Sequence, residues 1–285
     1  MYRISPFTPL FFNPSRDQHG AGSKCVQVFS TTDRVLIEVL ATGETSTDIV
    51  GFPSLKIKEV LKDKTYTYTW KRWQMNTSTT LLFIELQGME QGYYTAEVAG
   101  KTSEVFAVTS DEAVLADTVL LQYSNRDNKQ RNDAVFFING MQRFFDFRIP
   151  GGFKDDNWSF MVENEKFKTS DNDSIDLYSN DTVIKPLTIG NCEGCPVWFA
   201  ELVNRLLCCN YVYIDGERYS RNESEVPEMN IENEGQKTYV FIQSLSRVLN
   251  LDPTIEESNR LVMRRANADK FRNTDIGEDK YNLIV

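Results

Sequence analysis

Short apolar segments of strand length, separated by turns, are the feature that most constrains the fold of this chain. The first of them are residues 24–30, 34–41, 56–60, 65–73, 80–87, 93–99 and 104–108. They are either continuously apolar or alternate apolar and polar side chains, and a period of two places successive side chains on opposite faces of a strand. Short strands at regular spacing predict a β-sandwich, which we place at residues 23–110.

The end of this region has a more specific character. The sequence G-Y-Y-T-A-E-V, followed by V-F-A-V, resembles the last hairpin of immunoglobulin-like modules. The resemblance implies an immunoglobulin-like sandwich. Within it, Tyr66, Tyr68 and Trp70 alternate along residues 65–73 and form one stripe, which either faces the core or presents a platform for a sugar. We favour the core, and we expect Trp73, on the opposite face, to lie at a contact.

A second β-rich domain of α+β type is predicted at residues 119–250, after an acidic linker at 111–118. Asn139-Gly140 lies between apolar runs, which predicts a hairpin over residues 134–149 because both turn residues take positive φ. Pro150-Gly151-Gly152 is expected to end that strand. Short strands are predicted at 158–163, 166–169 and 185–189, with a polar turn region at 171–181. Residues 196–209 repeat apolar side chains at every fourth position, which predicts one amphipathic helix.

The two ends of the chain lack obvious partners for burial. We predict an N-terminal arm at residues 1–22 and a charged C-terminal tail at 251–285, where 13 of 35 residues are charged. Such segments order against neighbouring chains. The predicted contacts with other copies or subunits are apolar residues of these ends together with one tryptophan: Phe7, Leu10, Phe11, Phe12, Trp73, Leu283, Ile284 and Val285.

The composition excludes several classes of protein. Lys and Arg number 31 against 41 Asp and Glu, which gives a formal net charge of −10 and argues against specific binding to nucleic acid or to an anionic membrane surface. Hydrophobic residues make up 41% of the chain, so disorder of the whole chain is excluded. No apolar run reaches the length of a membrane-spanning helix, and the N-terminus lacks the apolar core of a signal peptide.

The five cysteines allow a metal or redox interpretation, which we do not favour. Cys192 and Cys195 are spaced as in a zinc knuckle, but the other pair, Cys208 and Cys209, is adjacent in sequence, so its side chains diverge instead of completing a tetrahedral site. Burial in a core is the expectation for them. An odd number of cysteines also favours synthesis in a reducing compartment.

Candidate catalytic groups are equally sparse. The single histidine, His19, lies in a polar segment, and the chain has no nucleophile-elbow, zincin, P-loop or dinucleotide-binding motif. Acidic residues such as Asp155, Asp156, Glu163 and Glu165 could in principle serve a glycosidase, but in an acidic chain they indicate a solvated surface. We predict no enzymatic activity, no metal and no cofactor.

A set of motifs between residues 119 and 250 resembles virion structural proteins of tailed bacteriophages and prophages of Bacteroidales, including crAss-like phages. The motifs are Tyr123-Ser124-Asn125-Arg126-x-Asn128, Phe144, Phe147-Arg148, Pro150-Gly151-Gly152-Phe153, Thr188-Ile189-Gly190, Pro196-Val197-Trp198, Tyr213-x-Asp215-Gly216-x-x-Tyr219-x-Arg221 and Pro227-Glu228. The resemblance implies a structural subunit of a tail, collar or portal-proximal ring, and it carries no catalytic residue.

The expected partners follow from that resemblance: copies of the chain in a ring and neighbouring tail or portal proteins of the virion. The protein would be made in the cytoplasm of a bacterial host and reside in the virion. The alternative is a β-sandwich module that binds carbohydrate during host attachment, through exposed Tyr and Trp side chains.

Overall fold

The fold is mainly β, as the sequence predicts. The computed structural model describes residues 2–12, 25–42, 52–129, 131–153, 158–171, 173–190, 194–222, 228–233 and 238–248. The strands of the first region are β1 Tyr2–Ile4, β2 Gln27–Ser30, β3 Val35–Thr42, β4 Leu55–Glu59, β5 Lys64–Tyr68, β6 Lys71–Asn76, β7 Thr79–Leu86, β8 Gly92–Val98, β9 Lys101–Thr102 and β10 Phe106–Thr109.

The second region begins with a short helix and contains the remaining strands. Its elements are α1 Glu112–Ala116, β11 Thr118–Ser124, β12 Phe137–Ile138, β13 Met141–Gln142, β14 Phe145–Phe153, β15 Ser159–Lys168, β16 Ser174–Ile189, α2 Val197–Leu206, β17 Tyr211–Ile214, β18 Glu217–Arg221, β19 Glu228–Asn233 and β20 Thr238–Arg247. Helix α1 occupies most of the predicted linker, and its N-terminal cap is the Asp111 carboxylate, which accepts a hydrogen bond from Ala113 N.

Two sheets of the first region enclose one core. One sheet has the order β1-β3-β7-β6, and the other has the order β2-β10-β8-β4-β5, with β9 beside β8. Side chains of both sheets, such as Ile37, Ile84, Ile57 and Phe106, belong to a single buried cluster. The immunoglobulin-like assignment of this sandwich stays a prediction.

The aromatic stripe predicted over residues 65–73 does not form one strand. The chain leaves one sheet at the end of β5 and enters the other at β6, so Tyr66 and Tyr68 lie in a different sheet from Trp73. Trp70 lies at this crossing, where it is buried and its Nε1 donates a hydrogen bond to Pro53 O at 2.8 Å. Tyr66 and Tyr68 are half-buried against the same core that contains Trp70, so the stripe faces the core as favoured, although residues 65–73 are not one strand.

The second region contains a closed barrel. Strand pairing runs from β11 to β14, β16, β20, β18, β17 and back to β11, and every one of these pairs is antiparallel. The barrel interior holds large apolar side chains, among them Tyr123, Phe145, Phe147 and Ile214. Helix α2, which follows Pro196 as predicted, buries Phe199, Leu202, Val203 and Leu206 in the same core.

The expected strand break at Pro150-Gly151-Gly152 is wrong. Strand β14 continues to Phe153, and at this point it changes its partner from β11 to β16. Gly151 has φ +124°, and a Cβ atom there would lie 2.1 Å from Thr188 O. The glycine therefore allows close approach of two strands where the barrel turns a corner.

The Asn139-Gly140 turn has the predicted geometry, but the predicted hairpin is mostly absent. Both turn residues have positive φ, 52° and 80°. Only β12 and β13 pair across the turn, through two residue pairs. The long strand that follows, β14, pairs inside the barrel instead, because its apolar side chains are buried there.

Candidate assembly surface

The N-terminal segment is packed inside the chain, which corrects the expectation of an extended arm for residues 2–12. Strand β1 pairs with β3, and the chain then runs between the sandwich and the barrel. Phe7 is fully buried against Phe136 and Phe145, and Tyr123 Oη donates a hydrogen bond to Phe7 O. Leu10 is buried in the sandwich core. Phe7 and Leu10 are therefore not free to contact another chain.

The other predicted contact residues have mixed outcomes. Phe11 is half-buried and stacks on Phe199 of α2 at 5.1 Å between ring centroids, and half-buried Phe12 packs on the sandwich core. Trp73 is half-buried over a small cluster formed by Leu40, Leu81 and Val135, at the boundary between the two regions. Leu283, Ile284 and Val285 lie outside the described residues, as do residues 13–22 of the predicted arm.

Two buried ion pairs join the sandwich to the barrel region. Arg148 of β14 donates from Nε and Nη2 to the two carboxylate oxygens of Asp33, at 2.9 and 3.0 Å. Arg143 donates from Nη1 to Glu38 Oε1 of β3 at 2.6 Å, and Val135 N donates to the other oxygen of Glu38 at 3.2 Å. Bidentate and buried pairs of this kind fix geometry. The two domains therefore present their outer surfaces in a fixed arrangement.

Burial dominates the protonation of Glu38. Its side chain is completely buried, and burial raises its pKa from 4.5 to about 7, although the charge of Arg143 acts in the opposite direction. The Arg143 guanidinium in turn lies 4.3 Å from the centre of the Phe83 ring, and burial lowers its pKa. This carboxylate lies inside the domain interface, so its place in the fold indicates a structural role.

A long hairpin projects from the barrel with apolar side chains on both of its faces. Strand β15 pairs only with residues 174–184 of β16 among the described residues. Phe160 and Val162, on one face, are 75% and 61% exposed, and Met161 and Phe167, on the other, are 53% and 57% exposed. Ile175 and Leu177 of β16 are also exposed. We call residues 158–183 the projecting hairpin.

The short strands predicted at 158–163 and 166–169 both coincide with β15, but the polar turn region predicted at 171–181 is wrong. Residues predicted as the turn region 171–181 belong mostly to β16. The signal that could have located it is the apolar spacing of Phe160, Val162 and Phe167 together with the later Ile175 and Leu177. Phe160, Val162 and Phe167 lie in the predicted short strands, whereas Ile175 and Leu177 were assigned to the turn because most of their neighbours are polar.

A lysine surrounded by aromatic rings holds the base of the projecting hairpin. Lys185 Nζ of β16 lies 4.1 Å from the Trp158 ring centre, 5.5 Å from that of Phe153 and 5.9 Å from that of Tyr219. Glu217, on the neighbouring strand β18, lies 4.0 Å from the same ammonium group. Cation–π contacts of a buried ammonium are worth about 2 kcal/mol. They fix where the hairpin leaves the barrel.

Several residues of the motifs quoted in the sequence analysis make contacts that stabilise the fold. The Asn128 side chain accepts hydrogen bonds from Phe136 N and Phe137 N, and Asn125 Oδ1 accepts one from Asn210 N. Asp215 and Gly216 form the turn between β17 and β18, both with positive φ. These groups stabilise loops of the barrel, and their arrangement is that of a scaffold.

The cysteines do not gather into a metal site within the described part of the chain. No group of three or more His, Cys, Asp or Glu residues there is placed to hold a metal ion. Cys195 is buried, and burial raises its thiol pKa; burial also raises the pKa of Cys209 to about 12. Core burial, as expected, describes Cys195, whereas Cys208 is exposed and Cys192 lies outside the described residues.

Comparison with known proteins adds no relative. No protein-family model, no curated protein and no solved structure matches the chain. Neither helix of the described ranges has the length and apolarity that a membrane crossing requires.

Proposed function

We propose that the chain is a structural subunit of a tailed-bacteriophage particle, forming or joining a ring of the tail, collar or portal-proximal region, and that it acts through protein contacts without catalysis. The observation that supports this most is the projecting hairpin. Its large apolar side chains are exposed on both faces, and a two-stranded hairpin is stable in water only with further support. A neighbouring subunit supplies that support.

The rigid body behind the hairpin supports the same proposal. Two buried ion pairs and the N-terminal segment join sandwich and barrel, so a contact made by the hairpin is transmitted to the whole subunit. Arg148, which belongs to the motifs on which the proposed relation to phage virion proteins is based, forms one of these ion pairs. The carbohydrate-binding alternative loses its principal observation, because the expected stripe belongs to the sandwich core: Trp70 is buried there, and Tyr66 and Tyr68 are half-buried against it.

Quantitative mass spectrometry of purified particles tests the proposal. Particles would be isolated by density gradient from a culture in which the encoding phage grows, and the copy number of this protein compared with that of the major capsid protein. We expect a constant number of about six or twelve copies per particle, as cyclic symmetry leads one to expect. Absence of the protein from particles, with the protein present in the lysate, would refute it.

A further inference from the structure

We propose that the outer end of the projecting hairpin binds a groove between β1 and α2 of a second copy of the chain, head to tail. This inference rests on the proposed assembly function and names the partner. The groove has a volume of about 500 Å³ and is lined by residues of the N-terminal segment, the sandwich and the helix.

The outer end of the hairpin is apolar and its turn is acidic, while exposed Lys166 and Lys168 lie on either side of Phe167 in the sequence. Phe167 is paired directly with Ile175, and both side chains are about half exposed. Leu177, also exposed, is the extra residue of a bulge, because Glu165 is paired with Tyr178 and Lys166 with Asp176. The turn beyond them carries two exposed carboxylates, Asp171 and Asp173.

The groove has the complementary character. Aromatic surface comes from Phe11, Phe12 and Trp198, and positive charge comes from Arg3, Lys101 and Arg205. Glu201 is the one acidic side chain among its lining residues. Strand β1, which ends its sheet among the described strands, borders the groove.

The charges of the hairpin turn and of the groove favour a second copy of the chain as the occupant of the groove, and they orient it. A net charge of −10 makes copies of the chain repel each other on average, and a local match of opposite charges offsets this repulsion. An acidic turn entering a groove with three cations and one carboxylate supplies that match, while Phe167 and Ile175 meet aromatic surface. A second copy is therefore attracted through this contact.

The two halves of the contact belong to different elements of the same chain. Strands β15 and β16 supply the hairpin, whereas β1, the segment after it and α2 supply the groove. A contact of this kind is heterologous, and repeated heterologous contacts close into a ring or continue as a filament, according to the rotation between copies. Copies of the chain can therefore form a ring through this single type of contact.

A complementation experiment in solution tests it. The hairpin variant carries Phe167→Ser and Ile175→Ser. The groove variant carries Arg3→Glu and Lys101→Glu. The matched control is Leu61→Ser, in the exposed turn after β4. Sedimentation velocity over a range of concentrations would show masses above 32.8 kDa for the wild type and the control. We expect each double variant to associate at least tenfold more weakly, and their mixture to form a one-to-one dimer.

Charge reversal keeps the test independent of folding defects. One further variant combines Asp171→Lys and Asp173→Lys with the two substitutions of the groove variant, so the charges of both the hairpin turn and the groove are reversed. We expect this variant to associate again. A wild type that stays monomeric at about 1 mM in low salt, or a mixture of the two variants that stays monomeric, would overturn the inference. So would a groove variant that associates like the wild type. None of these results alters the copy number in particles, which tests the proposed function separately.

Discussion

Asp33 of the sandwich accepts two hydrogen bonds from Arg148 of the barrel; the Asp33 side chain is buried, and 13% of the Arg148 side chain is exposed. Ser30 N donates a third hydrogen bond to the same carboxylate, at 2.7 Å, and Arg148 Nη1 donates to Thr118 Oγ1. Each charge is thus held by several partners drawn from both domains. The pair couples the stability of the sandwich to that of the barrel.

We predict that Asp33→Asn destabilises the whole chain by about 3–5 kcal/mol, because it leaves the Arg148 guanidinium buried without its counter-charge. Urea unfolding followed by fluorescence checks this. The matched control is Asp63→Asn, which removes an exposed ion pair with Lys58 and should change the free energy of unfolding by less than about 1 kcal/mol. Equal effects of the two substitutions would contradict the structural role of Asp33.

Glu38 should give the protein a distinct pH dependence. Its pKa rises from 4.5 to about 7 on folding, so the folded chain binds a proton more tightly than the unfolded chain. The stabilisation that proton binding to Glu38 gives the folded chain is complete below pH 4.5, and it is lost as the pH rises through 7. Between these values the free energy of unfolding falls by roughly 1.4 kcal/mol per pH unit.

Substitution of Glu38 isolates this effect from other titrating groups. The free energy of unfolding of the Glu38→Gln variant should not fall in this way with pH. Between pH 5 and pH 7.5 it should therefore rise by about 3 kcal/mol relative to that of the wild type. Urea unfolding at both pH values measures the difference. Parallel pH dependence in the two proteins would show that Glu38 is ionised throughout this range.

The N-terminal segment should be required for folding. Phe7→Ala removes a fully buried ring that contacts Phe136 and Phe145, and we expect a loss of about 3–5 kcal/mol in the free energy of unfolding. Leu61→Ala, at a residue that is 74% exposed, serves as the control and should be nearly neutral. A neutral Phe7→Ala variant would restore the extended arm predicted from sequence.

Gly151 should tolerate no side chain. Gly151→Ala places a Cβ atom 2.1 Å from Thr188 O, so we expect a loss of more than about 3 kcal/mol or an insoluble protein. Gly140→Ala is the control, because Gly140 also has positive φ but has no atom within 4 Å of the added carbon; its cost should be about 1–2 kcal/mol. Similar losses in the two variants would show that the positive φ of these glycines, and not the close approach of Thr188 O, determines the cost of the substitution.

The base of the projecting hairpin should loosen when its lysine is removed. In Lys185→Ala the rings of Trp158, Phe153 and Tyr219 lose the ammonium group between them. We expect hydrogen exchange of the amides in β15 to accelerate about tenfold while β11 and β17 keep wild-type protection. Lys168→Ala, on the outer part of the hairpin, is the control. Uniform acceleration across the barrel would contradict a local role for Lys185.

Local patterns in the sequence predicted the elements well and their partners less well. Alternation located most strands of the sandwich, and the apolar repeat located α2, because both depend on nearby side chains. Closure of the barrel could not be read from sequence, since it depends on β16 pairing with β20 across the intervening helix and hairpin. The glycine pair in β14 was interpreted as a break because glycine serves both turns and close strand contacts.

The residues proposed for contacts from the sequence differ from those that the structure exposes. The sequence placed apolar contacts in the N-terminal segment, where Phe7 and Leu10 are buried by long-range partners that no local pattern displays. The projecting hairpin was missed because its exposed apolar residues look like those of half-buried strands. Only the pairing of β15 with a single neighbour distinguishes the two cases.

The most direct test of the account is a competition for places in the particle. Cells supporting growth of the encoding phage would express the wild type together with a variant that carries Phe160→Ser and Phe167→Ser, and mass spectrometry of purified particles would give the ratio of the two proteins. We expect at least a tenfold preference for the wild type over the hairpin variant. In the same competition, a Leu61→Ser variant should be incorporated as well as the wild type. Equal incorporation of the hairpin variant, or absence of both proteins from the particles, would contradict it.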